Sequence, residues 1–236
     1  MDSVVFGRIG ASGVLTPMTA RSYVQDGLVV HFDGLENAGY GKYDESASAW
    51  TNLVDGRRLN FASGWTWENG WARSNYHTAG SITFGSLQSC TIEFCTEILD
   101  GVKNSSLITQ APSGNLFAYF ITGASYLDFR TRLFPTSEGN CAGLEWTGSN
   151  KFGVVRTITG QNDKAGNCTR VFLNGDFVTI GKVIPESYTG LRIAGNTGAD
   201  WRICSLRVYS RALTAAEVAR NYKIDRLRFN LTEGAA

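Results

Sequence analysis

Apolar and polar residues alternate along most of this chain, and the alternation predicts a protein built from many short β-strands. A period of two is typical of strands that bury one face. The pattern recurs at Leu28, Val30 and Phe32; Ile92, Phe94 and Ile98; Phe117, Tyr119 and Ile121; Leu127 and Phe129; Phe152 and Val154; Val171 and Leu173; and Leu191 and Ile193. Two antiparallel sheets packed face to face would bury all these apolar sides. The sequence therefore predicts an all-β sandwich.

Two local signals add a hairpin and one helix to this sandwich. Asn174-Gly175 predicts a tight hairpin, because both central residues of a type I′ turn need positive φ. Near the C-terminus, Cys204, Leu206 and Val208 alternate with polar residues and predict a last strand. Thr214 followed three residues later by Glu217 is a capping box, so we predict a short helix that begins just after Thr214.

Composition and charge narrow the class of protein. A chain of 236 residues with 4 Pro and 27 Gly suits a single large sandwich whose short strands are joined by tight turns. A net charge of +1 gives no electrostatic reason to expect nucleic acid as a partner. There is no run of 18 apolar residues, so membrane insertion is not expected either.

The cysteines and the first residues bear on where the protein is assembled. Five cysteines, Cys90, Cys95, Cys141, Cys168 and Cys204, have no paired motif spacing, and we expect free buried thiols. The opening MDSVVFGRIGASG lacks the charged-then-apolar plan of a secretory signal. Residues 1–22 also lack clear periodicity and are predicted to form an arm. Together these features favour assembly in a cytosol and later display.

Several segments carry a resemblance to a known family. The C-terminal stretch ends a strand in Tyr209, continues with Ser210-Arg211-Ala212-Leu213, and carries Glu217 and Asn221-Tyr222 on the helix. It resembles the closing signature of laminin G-like (concanavalin A-like) jelly-roll domains. Further landmarks of the version common in gut Bacteroidales and their phages occur in the expected order at 27–39, 50–53, 89–99 and 170–178. The resemblance implies a jelly-roll sandwich over residues 23–236, after the arm at 1–22.

Some concanavalin-like folds hydrolyse β-glucans, which makes Glu93 and Glu97 a candidate catalytic pair. The two glutamates share one face of a predicted strand. Retaining hydrolysis needs carboxyls about 5 Å apart and inverting hydrolysis about 6.5–9.5 Å, whereas side chains four residues apart on a strand are about 13 Å apart. We therefore predict no catalytic residues and interpret both as solvated strand glutamates.

Calcium is the cofactor that the resemblance would allow. Laminin G-like relatives bind it through loop oxygens, and the candidates here are Asp33, Asn37, Asp44, Asp55 and Asp200. The final strand has a cysteine and a serine where many relatives carry an acidic ligand. Asp and Asn also favour turns for local reasons. We expect no metal site and no cofactor, with calcium as the open alternative.

The segment 64–77 is the first candidate ligand site. Trp65 and Trp67 would share a strand face, and Trp71 and Tyr76 follow after a turn at Asn69. Aromatic rings stack on the apolar face of pyranoses, with amide groups such as Asn69 available for hydroxyls. The alternative is that these rings only cover the edge of the sandwich.

A second candidate surface is the polar face of one predicted strand. Asp128, Arg130 and Arg132 alternate with apolar residues. The simplest interpretation is an outer sheet face, and the alternative is an arginine-lined contact with a glycan or a protein.

Taken together, the residues and the resemblance predict a non-catalytic binding or adhesion module for a glycan or a cell-surface protein. We expect it to be displayed on a virion surface, as a phage structural or decoration protein, or extracellularly. The arm at 1–22 would contact a neighbouring virion or homo-oligomer subunit. The alternatives are a carbohydrate-binding domain of a secreted gut-bacterial protein and a glycoside hydrolase of the same fold.

Overall fold

The structure, a computed structural model, describes residues 6–9, 15–101, 105–110, 116–123, 126–132, 143–146, 153–183, 187–193 and 199–231. It is an all-β, two-sheet antiparallel jelly-roll sandwich with one short C-terminal helix, as predicted. The helix α1 spans Ala215–Arg228. The strands are β1 (Phe6–Ile9), β2 (Leu15–Pro17), β3 (Leu28–Asp33), β4 (Ala49–Thr51), β5 (Arg58–Asn60), β6 (Thr66–Glu68), β7 (Trp71–Arg73), β8 (Ser81–Leu87), β9 (Cys90–Gly101), β10 (Ser105–Gln110), β11 (Leu116–Gly123), β12 (Tyr126–Arg132), β13 (Gly143–Trp146), β14 (Val155–Asp163), β15 (Cys168–Leu173), β16 (Asp176–Lys182), β17 (Tyr188–Ile193) and β18 (Ala199–Tyr209).

Two large sheets form the sandwich. The larger has the strand order β16-β15-β14-β9-β18-β7-β6, and β3 pairs with β18 beside β7. The smaller has the order β13-β12-β11-β10-β17-β8. Two hairpins, β1-β2 and β4-β5, form separate two-stranded ladders. The central position of β9 and β18 explains why their apolar faces are the most deeply buried.

The main hydrophobic core lies between the two sheets. The larger sheet contributes Phe94 and Leu206, and the smaller contributes Ile108 and Leu191. Trp50, from the β4-β5 hairpin, is also fully buried, and its Nε1 donates to the carbonyl of Asp33 at 3.0 Å. That hydrogen bond satisfies the one polar atom of the indole, so the ring can be buried at low cost.

Helix α1 covers the other face of the larger sheet. Its N-cap is Thr214, whose hydroxyl accepts from the Glu217 amide while the Glu217 carboxylate accepts from the Thr214 amide at 2.8 Å. The predicted capping box is confirmed. The guanidinium of Arg211 holds the same carboxylate, with its Nη2 2.6 Å from Oε1. The predicted Asn174-Gly175 turn is also confirmed, with φ of 51° and 86° between β15 and β16.

A buried polar network joins α1 to the sheet, and it contains residues of the C-terminal signature. Asn221 donates to Glu93 at 2.7 Å and to the Tyr209 hydroxyl at 2.9 Å. Arg207 donates to Glu93 at 3.1 Å and to both oxygens of Asp225 at 2.9 and 2.7 Å. All these side chains are buried. The signature residues therefore attach the helix to the sandwich.

Two expectations about side-chain direction were wrong. Glu93 and Glu97 are not solvated: they are 1% and 8% exposed and lie opposite Arg207 and Arg202 in the β9-β18 ladder. The outer face of this sheet is covered by α1, so carboxylates there need a cation. In β18 the register shifts between Ile203 and Ser205, and the strict alternation fails at that point.

The shift separates Cys204 from the apolar residues that follow it in the strand. Cys204 packs with Cys95, Trp71 and Phe229 on the helix side of the sheet, whereas Leu206 belongs to the main core. Cys90, Cys95, Cys168 and Cys204 are free and buried, as expected. Cys141 lies outside the described residues. No helix in the part of the chain that the structure describes is long and apolar enough to cross a membrane.

The two parts of the predicted arm, residues 1–22, differ in how they contact the sandwich. The strands β1 and β2 form a ladder separate from both large sheets. In contrast, Ala20 is buried and its amide donates to Glu36 at 2.7 Å. The carbonyl of Ser22 accepts from Arg220 of α1 at 2.8 Å. Packing on the sandwich therefore includes the last residues of the predicted arm.

Candidate functional site

A cavity of about 590 Å³ opens between two surface segments. The first segment, 45–48, precedes β4. The second, 61–67, runs from the end of β5 into β6 and contains two of the predicted site tryptophans. We call this cavity the aromatic pocket. It is lined by Glu45, Ser46, Ala47, Ser48, Phe61, Ala62, Ser63, Gly64, Trp65, Thr66 and Trp67.

Three rings form the apolar wall of the aromatic pocket. Phe61 and Trp65 stack in parallel, with centroids 4.6 Å apart and an interplanar angle of 5°. Trp67 lies at 5.6 Å from Phe61 and meets the core Trp50 edge-on at 5.5 Å. Phe61 and Trp65 are partly exposed, while Trp67 is only 5% exposed. The pocket therefore offers Phe61 and Trp65 to a ligand, and Trp67 supports them from the core side.

Hydrogen bonds hold the tryptophan segment in place. The Nε1 of Trp65 donates to the carbonyls of His77 and Thr78 at 3.1 and 3.0 Å. Asn75 donates to the carbonyl of Gly64 at 2.7 Å. Gly64 has a φ of +107°, and a Cβ there would lie 2.2 Å from the His77 ring. Any other residue at position 64 would be strained at this φ and would displace the His77 ring, so glycine suits this close approach.

Hydrogen bonds also hold the opposite wall of the pocket, segment 45–48, in place. Ala47 accepts from Nε1 of Trp67 at 2.9 Å through its carbonyl, and Ser48 accepts from the Phe61 amide at 3.1 Å. Asp44 is held by a pair of 2.8 Å hydrogen bonds with Asn37. Both walls are thus tied to each other or to the core, and little ordering entropy would be lost on binding.

The polar groups of the pocket are hydroxyls and one carboxylate. Among the described lining residues, Glu45 is the only ionisable side chain. Asp44, next to it in sequence, is exposed, and hydrogen bonds from Ser46 lower the pKa of its carboxyl below the ordinary value. The serine and threonine hydroxyls can both donate and accept. The arrangement suits an uncharged, hydroxyl-rich ligand with an apolar face.

Three predicted site residues lie away from the pocket lining. Trp71 is 7% exposed and packs on the helix side of the sheet against Phe229. Asn69 forms the β6-β7 turn with a φ of 50°. Tyr76 is exposed, and its hydroxyl donates to Asp100 at 2.6 Å. The structure brings together Trp65 and Trp67 of the predicted set and adds Phe61 and Glu45, which sequence reasoning missed.

The second predicted surface can be placed only by its backbone. Asp128, Arg130 and Arg132 belong to β12, which pairs with β11 and β13 in the smaller sheet. Their side chains lie outside the described part of the structure. Their role in ligand contact stays a prediction.

The glutamates considered for hydrolysis are held by arginines. Arg202 donates to Glu97 through Nε at 2.6 Å, and Arg207 donates to Glu93 at 3.1 Å. Burial raises the pKa of the Glu93 carboxyl, and the adjacent Arg207 opposes part of that rise. Glu93 lies beneath α1 and does not line the aromatic pocket. This geometry offers a substrate no access to Glu93.

Three of the acidic residues considered as calcium ligands each form an ion pair with a different arginine. Asp33 binds Arg228, Asp55 binds Arg57, and Asp200 binds Arg73. Within the described ranges, no three His, Cys, Asp or Glu side chains form a group that could hold a metal ion. Whether calcium binds through other oxygens stays an open alternative.

Comparison with known proteins identifies the architecture. No protein-family model and no curated protein matches this chain. Solved structures do. The receptor-binding domain of botulinum neurotoxin type G matches with a TM-score of 0.57 and 12% identity, over 85% of this chain and 52% of that one. The serotype D ligand-binding domain, solved with N-acetylneuraminic acid, matches with a TM-score of 0.59 and 8% identity, over 84% and 51%.

A sialidase from Trypanosoma rangeli matches with a TM-score of 0.59 and 12% identity, over 95% of this chain and 36% of the sialidase. The chain shares their β-sandwich fold. It spans about half the length of the neurotoxin domains and a third of the sialidase. At these identities the likeness concerns the fold, and function has to be argued from the site.

Proposed function

We propose that this protein is a non-catalytic, laminin G-like binding module that recognises a glycan through the aromatic pocket. The observation that carries the proposal is the preformed cavity in which the partly exposed Phe61 and Trp65 lie beside serine and threonine hydroxyls. Partly exposed aromatic surface next to fixed polar groups is the usual chemistry of sugar recognition. The neurotoxin and sialidase structures add support, since the serotype D domain was solved with N-acetylneuraminic acid and the sialidase with 2,3-difluoro-KDN.

Glycan binding is tested by a glycan array with three variants. Trp65→Ala should abolish the signal, and Ala62→Trp should do so by filling the pocket from its exposed rim. Tyr76→Phe is the control, because its ring lies outside the lining. Melting temperatures establish that each variant is folded. Binding that persists in folded Trp65→Ala and Ala62→Trp would place the site elsewhere, with β12 the next surface to test.

Absence of catalysis is supported by the ion pairs of Glu93 and Glu97. A general acid or nucleophile must reach the glycosidic bond, and Glu93 is buried beneath α1. We expect no reducing sugar to be released from β-glucans, mucins or host glycans. Sugar release by the native protein that disappears in Glu93→Gln or Glu97→Gln would show that the protein is an enzyme and refute this proposal.

We extend the proposal to multivalent display, as a phage decoration protein or an extracellular adhesion module. A single small site binds with an affinity of about micromolar to millimolar, so many copies are needed to hold a surface. The β1-β2 hairpin supports a role for the arm, because an isolated two-stranded ladder gains stability by packing on a partner. The free thiols support assembly in a reducing compartment.

The arm is tested by deleting residues 1–17, which spares the buried Ala20. The shortened chain should stay folded and lose its ability to join an oligomer or particle in sedimentation experiments. Normal assembly of the shortened chain would refute the role of the arm and favour the secreted carbohydrate-binding domain.

A further inference from the structure

The charge of the aromatic pocket distinguishes between classes of glycan. Its described lining contains hydroxyl and apolar side chains and one ionisable group, the carboxylate of Glu45. Asp44 adds a second exposed carboxylate beside it, kept in the charged form by hydrogen bonds from Ser46 at 2.9 and 2.6 Å. The described lining therefore carries one carboxylate and no cation, so the charge of the pocket lining itself is negative.

The two arginines between β4 and β6 lie outside the pocket lining. Arg57 pairs with Asp55 at 2.6 Å and also donates to the carbonyl of Thr83. Arg58 lies opposite Thr51 in the β4-β5 ladder and is not part of the pocket lining. Carboxylated sugars are normally held by arginine or by amide donors. This pocket has no arginine or lysine among its described lining residues.

We infer that the aromatic pocket prefers neutral pyranoses over sugars that carry a carboxylate, such as sialic acids and hexuronic acids. Hydroxyls of a neutral sugar can donate to Glu45, whereas a sugar carboxylate cannot and is repelled by it. The inference rests on the proposed function and specifies its ligand class. It separates this chain from fold neighbours such as the serotype D neurotoxin domain, which was solved with N-acetylneuraminic acid.

The test is a comparison of matched glycan pairs on an array at pH 8. Each pair consists of a neutral oligosaccharide and the same oligosaccharide with a terminal sialic acid or hexuronic acid. We expect the neutral member to bind roughly three- to tenfold more tightly, as one like-charge contact near a protein surface implies. Raising the salt concentration from about 20 to 500 mM should narrow the difference, because the charges are exposed.

A charge variant assigns the selectivity to Glu45. Glu45→Gln should bring the two members of each pair closer together and leave neutral binding within a factor of about three. Asp176→Asn, on the exposed edge strand β16, removes a carboxylate outside the pocket and should change nothing.

The possible results separate this inference from the proposal on which it rests. Equal or tighter binding of the carboxylated members, lost in Trp65→Ala, would overturn the selectivity and leave glycan binding standing. A neutral preference that Glu45→Gln does not reduce would overturn the role of Glu45. Failure of every glycan to bind the folded protein would overturn both proposals.

Discussion

The buried guanidinium of Arg207 provides a direct test of how α1 is attached to the sandwich. Arg207→Met keeps an unbranched apolar side chain and removes three hydrogen bonds, one to Glu93 at 3.1 Å and two to Asp225 at 2.9 and 2.7 Å. All three side chains are at most 1% exposed, so two carboxylates would stay buried without this cation. Removing one partner of a buried ion pair costs about 3–5 kcal/mol. We expect the free energy of unfolding to fall by that amount.

Urea denaturation followed by tryptophan fluorescence measures this loss. Arg170→Met is the matched control, since its 2.8 Å bridge to Asp163 is partly exposed and such pairs contribute about 0–1 kcal/mol. Combining Arg207→Met with Glu93→Gln and Asp225→Asn should restore part of the stability, because the two buried carboxylates that lost their cation become neutral amides. A loss for Arg207→Met no larger than that of the control would refute the assignment of this network as the attachment of the helix.

The pH dependence of the same variant gives an independent check. In the native protein Arg207 opposes the rise that burial imposes on the pKa of Glu93. Without Arg207 the pKa of Glu93 should rise further. A carboxyl with a raised folded-state pKa contributes stability below its unfolded pKa and loses it as the pH rises through the folded value. The penalty of Arg207→Met should therefore be smaller at pH 5 than at pH 7.5, and a larger penalty at pH 5 would contradict this reasoning.

Three further predictions concern the helix cap and the pocket. Glu217→Gln keeps a capping acceptor but loses the charge that pairs with Arg211, and it should cost about 0.5–1 kcal/mol at pH 7. Because the neighbouring guanidinium holds the pKa of Glu217 at about 2, this difference should shrink as the pH falls from about 4.5 towards 2, and equal costs at pH 7 and pH 2.5 in urea would argue against it. Gly64→Ala should lower the free energy of unfolding by about 1–3 kcal/mol, because φ is +107° and the new Cβ would contact the His77 ring; an unchanged melting temperature would contradict this strain. Trp67→Ala should cost about 3–5 kcal/mol and Trp65→Ala less, since Trp67 is a core residue and Trp65 is partly exposed; the reverse order in thermal denaturation would contradict the burial assigned to the two rings.

The tryptophans of segment 64–77 show how much of the candidate site the sequence pattern alone could predict. The spacing of Trp65 and Trp67 predicted that the two rings share a strand face, and in the structure both pack against the main core. Alternation could not reveal that Trp71, after the turn, packs on the opposite side of the sheet against Phe229. Because Trp67 and Trp71 are buried, Trp65 is the one of the three that should tolerate replacement by alanine without unfolding the domain.

The sequence by itself determined the fold class, the start of α1 and the β15-β16 turn, because each depends on interactions within a few residues or on a repeated period. The tertiary structure decided what lies on the second face of the larger sheet. Glu93 and Arg207 are 114 residues apart, and only the pairing of β9 with β18 beneath a helix turns two strand residues into a buried ion pair. The pocket likewise forms where segments 45–48 and 61–67 meet, and that meeting is fixed by packing between strands rather than by either segment alone.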